Sequence, residues 1–339
     1  MPFKSTLITQ ISIYFAIFSF LIINQSVAVE SLHDYKQPST QTYIFKKNIP
    51  TPEMTNLGRL LFFDIRLSGD NSMSCATCHR PDAYWSDGQK TATGLNNKSL
   101  KLSTPTIINA AYNNKQFWDG RVNSLEQQST IPIQSPDEMN QDMDLLVKEL
   151  KAISGYVTLF DQAFGSKGIT RPNISRALAA FQRTIISNNT PFDRWYAGDE
   201  SAISASAKRG FVLFENKARC ANCHSGFNFN DSKFHNIGLV SGKVQEGRYK
   251  ISKKNNHRGA FKTPTLRNIM KTAPYMHNGT YETIEEVIAH YNRGGNGIEN
   301  ADSEIRKLHL SQPEIEDLIA FLDTLNEVVS VKIPHHFPQ

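Results

Sequence analysis

From Met139 onward, apolar positions recur at intervals of three and four rather than two. That spacing predicts helices over Met139–Leu150, Ile174–Ile186, Ser204–Phe214, Thr283–Tyr291 and Pro313–Leu325. In the last of these, Ile315, Leu318, Ile319, Leu322 and Leu325 form one stripe. Ser311-Gln312-Pro313-Glu314 before it reads as a capping box with proline in the first turn. No long alternating run predicts strands. Two stretches, Pro81–Thr106 and Asn228–Thr263, follow neither period, and Ser187–Asp193 breaks the helical pattern as an interdomain linker would. The expectation is a mainly α protein of two helical domains joined by long irregular loops.

The N-terminus stands apart. Lys4 precedes an apolar run from Ile11 to Ile23, and Ser26-Val27-Ala28 places small residues at a cleavage site. Residues 1–28 therefore read as a signal peptide cut after Ala28, with export to the periplasm. An uncleaved anchor is the competing reading, but the run is short for a span of ~20 residues. The two domains are then expected at 29–187 and 188–339.

With 39% apolar and 20% charged residues among 339, the chain reads as globular. Loss of the leader removes one Lys and lowers the net charge from +5 to +4. No basic, aromatic-studded stripe supports a nucleic-acid partner.

The chemistry is concentrated in the cysteines. There are four, and all lie in two runs, Cys75-Ala76-Thr77-Cys78-His79 and Cys220-Ala221-Asn222-Cys223-His224. On one helical turn, thiols three apart share a side and reach the two vinyl groups of one haem. The next residue, His79 or His224, then stands beneath the iron. A zinc site is disfavoured because the pairs lie 145 residues apart. Disulfides remain open to an exported chain, and a thioredoxin-like pair would need a βαβ context that neither motif has. Two motifs that consume every cysteine favour two covalent haems c, one per domain.

Other runs resemble the bacterial dihaem cytochrome c peroxidases. They are Leu57–Asp64, Gln116-Phe117-Trp118-Asp119-Gly120-Arg121, Thr263–Asn268 and Ala273-Pro274-Tyr275-Met276-His277-Asn278-Gly279, and the resemblance extends from about residue 50 to 327. It implies two cytochrome c-like domains, a first haem that meets hydrogen peroxide and a second that receives electrons. Trp118 matches the family's tryptophan between the haems, although alone it would read as core packing. Gln128 and Glu138 match the family's peroxide-site pair. Pro132 lies near them, and Ser135-Pro136-Asp137-Glu138 also reads as a helix start. A carboxylate over an open iron can carry a proton from one peroxide oxygen to the other.

Two departures follow. Many members carry a distal His on the first haem, but no histidine lies between His79 and His224. The first iron is therefore expected to be open as isolated. For the second haem, Tyr291 stands where many members have a Met ligand. Ile284, Val287, Ile288 and Tyr291 share a helical face, while His290 points about 110° away. Met276 competes with Tyr291, and His277 and His290 follow. Histidine–tyrosine ligation resembles the MauG-like branch, and a phenolate would stabilise ferric iron. The family also implies calcium between the domains, with Thr272 and Pro274 at two carbonyl positions and Ser103 replacing the usual Asn.

The resemblance implies a peroxidase fed by a small cytochrome c or cupredoxin. Its alternative is a MauG-type oxidase whose peroxide-derived high-valent haem oxidises aromatic residues of a protein partner. A non-enzymatic electron carrier would need both irons capped. Homodimers are common in the family.

Overall fold

The computed structural model describes residues 31, 33–38, 49–239, 245–298 and 300–339. The expected leader lies outside them. Among the described residues no helix is long and apolar enough to cross a membrane.

The chain is mainly helical. In order the helices are α1 (Pro52–Phe63), α2 (Cys75–Cys78), α3 (Leu125–Gln134), α4 (Met143–Lys151), α5 (Ser154–Phe164), α6 (Arg171–Gln182), α7 (Pro191–Tyr196), α8 (Ala205–Glu215), α9 (Tyr249–Ser252), α10 (Ile284–Asn292) and α11 (Gln312–Asp323). The only described sheet pairs β1 (Phe234–His235) with β2 (Phe261–Lys262), antiparallel. The two stretches without periodicity are irregular as expected.

Each lobe is organised by one helix crossing. In the first, α1 packs on α6, and a Cβ built on Gly58 would lie 1.8 Å from the Ala177 carbonyl oxygen. In the second, α8 packs on α11, and a Cβ on Gly210 would lie 1.9 Å from the Asp317 carbonyl oxygen. Only hydrogen fits at either contact. Leu57, Leu61, Phe62, Leu178 and Phe181 fill the first core. Phe192, Phe211, Phe214, Phe229 and Phe321 pack edge-to-face or tilted in the second.

The chain ends cross over. Tyr35 is buried against Phe192, Phe211 and Phe229 of the second lobe. The C-terminal tail returns to the first lobe, where the Gly155 amide donates to the Gln339 carbonyl at 2.8 Å. Arg66 donates to the Pro338 carbonyl at 3.1 Å.

Several expectations need correction. The helix expected from Met139 begins at Met143, because Asn140 adopts a left-handed conformation (φ 47°) and the Asp142 carboxylate caps the Asp144 and Leu145 amides. Ser135–Glu138 does not start a helix: Ser135 caps the C-terminus of α3 and the chain turns back. The segment 187–193 breaks the helical pattern, as expected, and is held firmly in place. Ser187 and Thr190 are fully buried, Asn109 bonds the Ser187 backbone in both directions at 2.9 Å, and Thr190 caps α7. The capping box at Ser311 and Glu314 forms as expected.

Candidate haem and peroxide site

The two histidines are set alike. His79 Nδ1 lies 3.1 Å from the Trp85 carbonyl oxygen, and His224 Nδ1 lies 2.9 Å from that of Phe229. A carbonyl only accepts, so each Nδ1 carries the proton and each Nε2 keeps its lone pair for a metal. Burial lowers the pKa of both imidazoles, which favours the neutral, ligating form. The cysteines form no disulfide. Burial pushes Cys75 and Cys220 up to about 12 and Cys78 to about 11, so these sulfurs are uncharged thiols, as thioether formation starts from.

Beside His79 lies a cavity of about 420 Å³, within the usual range for a bound small molecule or cofactor. Its walls bring together Cys75, Cys78, His79, Trp118, Gln128, Pro132 and Glu138. Gln128 and Pro132 are four apart on α3 and share a face. The chain then doubles back: the Glu138 amide donates to the Ser135 carbonyl at 3.0 Å and the Met139 amide to that of Pro132 at 3.1 Å. Asp137 anchors this turn to the loop after the first motif, pairing with Lys98 and accepting the Leu95 amide at its carbonyl. Glu138 is thereby held on the cavity wall, near enough to act electrostatically on the Cys78 thiol. No described group bonds the Gln128 side chain.

Trp118 is tied to both lobes. Its indole N–H donates to the Ser103 carbonyl at 2.9 Å, and its own carbonyl accepts the Lys262 amide at 2.8 Å. The ring meets His277 edge-on at 6.4 Å between centroids.

An internal repeat accounts for this meeting. Offset by a constant 159 positions, Pro105 corresponds to Pro264, Asn109 to Asn268, Trp118 to His277, Gly120 to Gly279 and the cap Ser124 to Thr283. The backbones agree. Asn109 and Asn268 are both left-handed (φ 57° and 60°), as are Phe117 and Met276 (φ 68° and 72°). The bridges Gln116–Val122 and Tyr275–Tyr281 close the same loop in each half. Under this offset α3 corresponds to α10, and Pro132 to Tyr291. One half thus has a side chain with no donor atom where the other has a phenol.

Tyr291 lies on α10, within electrostatic reach of Cys220 and Cys223. Burial first, and those sulfurs next, push its phenol pKa well up. Met276 lines the His79 cavity. His290 does point off the Tyr291 face, but it is fully buried rather than outward. Its Nε2 donates to the Ile237 carbonyl at 2.8 Å, and its Nδ1 lies 3.0 Å from the Tyr281 hydroxyl, leaving neither nitrogen for iron. His277 is buried and stacks on Phe261 at 3.6 Å. Ser103, Thr272 and Pro274 all line the same cavity as His79, and the Ser103 carbonyl accepts the Trp118 indole N–H.

Two Cys-x-x-Cys-His turns, each with a preset histidine, define a protein that carries two covalent haems c. Residues 52–201 match the family model for di-haem cytochrome c peroxidase and residues 207–326 that for cytochrome c. The methylamine utilization protein MauG of Methylorubrum extorquens is 47% identical over 85% of this chain and 83% of its own length. Cytochrome c peroxidase Ccp of Escherichia coli is 34% identical over 83% of this chain and 60% of its own. A solved MauG-like protein associated with microbial copper homeostasis superposes with a TM-score of 0.79 at 28% identity, covering 89% of this chain and 95% of that one. The chain belongs to the dihaem cytochrome c peroxidase family.

Proposed function

We propose that the chain is a periplasmic peroxidase that reduces hydrogen peroxide to two waters, taking two protons per turnover and two electrons from a small cytochrome c or cupredoxin. The observation that carries this reading is the convergence of Gln128, Pro132 and Glu138 on the cavity of His79. Bound haem would supply the iron at which peroxide reacts and would hold the two oxidising equivalents that peroxide delivers until the donor's electrons arrive. Glu138 takes a proton from one peroxide oxygen and returns it to the other, so that the leaving oxygen departs as water. Gln128, whose amide has no described partner, orients peroxide or water by hydrogen bonding. Pro132 offers no ligand and would leave the iron of a bound haem accessible to peroxide. Trp118, bonded to both lobes, passes electrons between the haems. Tyr291 is the residue that would cap a haem carried by His224. The position of Met276 in the other cavity and the two bonds of His290 count against those residues as alternatives. A calcium ion held partly by the Thr272 and Pro274 carbonyls would brace the same interlobe region.

One observation favours a second reading, oxidation of aromatic residues on a protein partner. The relatives named MauG are 42–47% identical, above the 32–37% of those named peroxidases. Stopped-flow mixing of ferric protein with one equivalent of peroxide, then reduced cytochrome c, separates the two. The peroxidase reading expects a Soret change without prior reduction and two cytochromes oxidised per peroxide. A product that persists in the presence of the cytochrome would favour the second reading. No Soret change until the protein is reduced would refute the open first iron.

A further inference from the structure

Lys262 is a cation without a counter-ion. It lies on β2 between buried Phe261 and Thr263, and its amide is bonded to the Trp118 carbonyl. Its side chain lines the same cavity as His79 and Trp118. No described hydrogen bond or ion pair ends on its ammonium, and burial alone lowers its pKa to about 8. The other cations on that wall differ. Arg121 pairs with Asp119 at 3.1 Å and lies over the Phe117 ring, while Lys101 is exposed to water. Lys262 itself is partly buried, and an ammonium turned out of bulk water without a partner is costly unless an opposite charge meets it.

The cofactor of this cavity brings the missing charge. A haem is apolar apart from two propionate carboxylates at one edge, and among the described residues of the wall Lys262 is the partly buried cation with no partner. We propose that the Lys262 ammonium is the counter-ion of a propionate on the haem carried by His79, and that this pair sets the potential of that haem beside Trp118. Lys262 is thus a positioning and charge-compensating residue rather than a proton donor. The proposal rests on the assignment of this cavity to the first haem, which the spin state of the unmodified protein tests separately.

A cation near the iron favours the ferrous state, because reduction removes a positive charge from the site. In holoprotein, spectroelectrochemical titration of Lys262→Met should show the first haem displaced toward ferric by about tenfold, which is 59 mV for a one-electron couple. The second haem should not move. Lys262→Arg keeps the charge and should restore the wild-type potential. Loss of haem from the Met variant but not from the Arg variant, measured as pyridine haemochrome, would equally support the pair. Unchanged potentials at full haem content, a shift confined to the second haem, or equal loss of haem from both variants would overturn it.

Discussion

Replacing Glu138 with Gln is expected to slow the reaction with hydrogen peroxide by about 10²–10⁴-fold, the usual worth of a positioned general acid–base group. The substitution keeps size and hydrogen-bonding capacity but removes the ability to accept a proton. Glu138 is held by backbone contacts of the turn after α3 and by the neighbouring Lys98–Asp137 pair, neither of which involves its carboxylate. Haem content, the optical spectrum of the resting protein and thermal stability should therefore stay at wild-type values. Single-turnover kinetics at varied peroxide concentration isolates the step, since it does not depend on the donor. A rate within threefold of wild type would remove Glu138 from the chemistry.

Tyr291→Phe should act on the other haem. If the phenol closes the second iron, its loss leaves that iron with His224 alone, converting a low-spin centre to one that binds added cyanide or azide. The potential should rise by about 0.1 V, a modest part of the ≈ 0.8 V over which axial ligands set haem potentials. A phenolate stabilises ferric iron, and phenylalanine donates nothing. The substitution is close to isosteric, and Tyr291 has no described hydrogen-bond partner to strand. A second haem that stays low-spin in this variant would assign its ligand elsewhere.

Much of this arrangement was legible in the chain. The Cys-x-x-Cys-His turns state their chemistry in five residues, and the α11 stripe with its capping box states its helix. What stayed hidden has physical reasons. α1 ends in the unbroken apolar run Leu60-Leu61-Phe62-Phe63, so no single stripe marks it. α3 gives Leu125 and Ile133 to the core but lines the cavity with Gln128 and Pro132, so its apolar stripe is short and interrupted by polar residues and proline. That is a pattern sequence periodicity discards, so the helix that carries Gln128 and Pro132 does not show in it. α7 has only six residues. For His290 the helical angle was right and the inference from it wrong. A second layer, formed by Ile237 and Tyr281, covers the face that points away from Tyr291.

The internal repeat is readable in the chain itself. Thr104-Pro105-Thr106 and Thr263-Pro264-Thr265 announce it, and counting onward from each reaches Trp118 and His277, then Pro132 and Tyr291. The divergence of the second pair is the simplest account of how one duplicated frame yields two unequal irons. The Nδ1 of each proximal histidine, His79 and His224, nonetheless meets a backbone carbonyl in both halves.

That inequality is the central claim, and low-temperature EPR of the fully ferric protein as isolated tests it most directly. The account predicts one high-spin signal from the His79 haem and one low-spin signal from the His224 haem, in equal amounts by integration. Two low-spin signals and no high-spin intensity would contradict it.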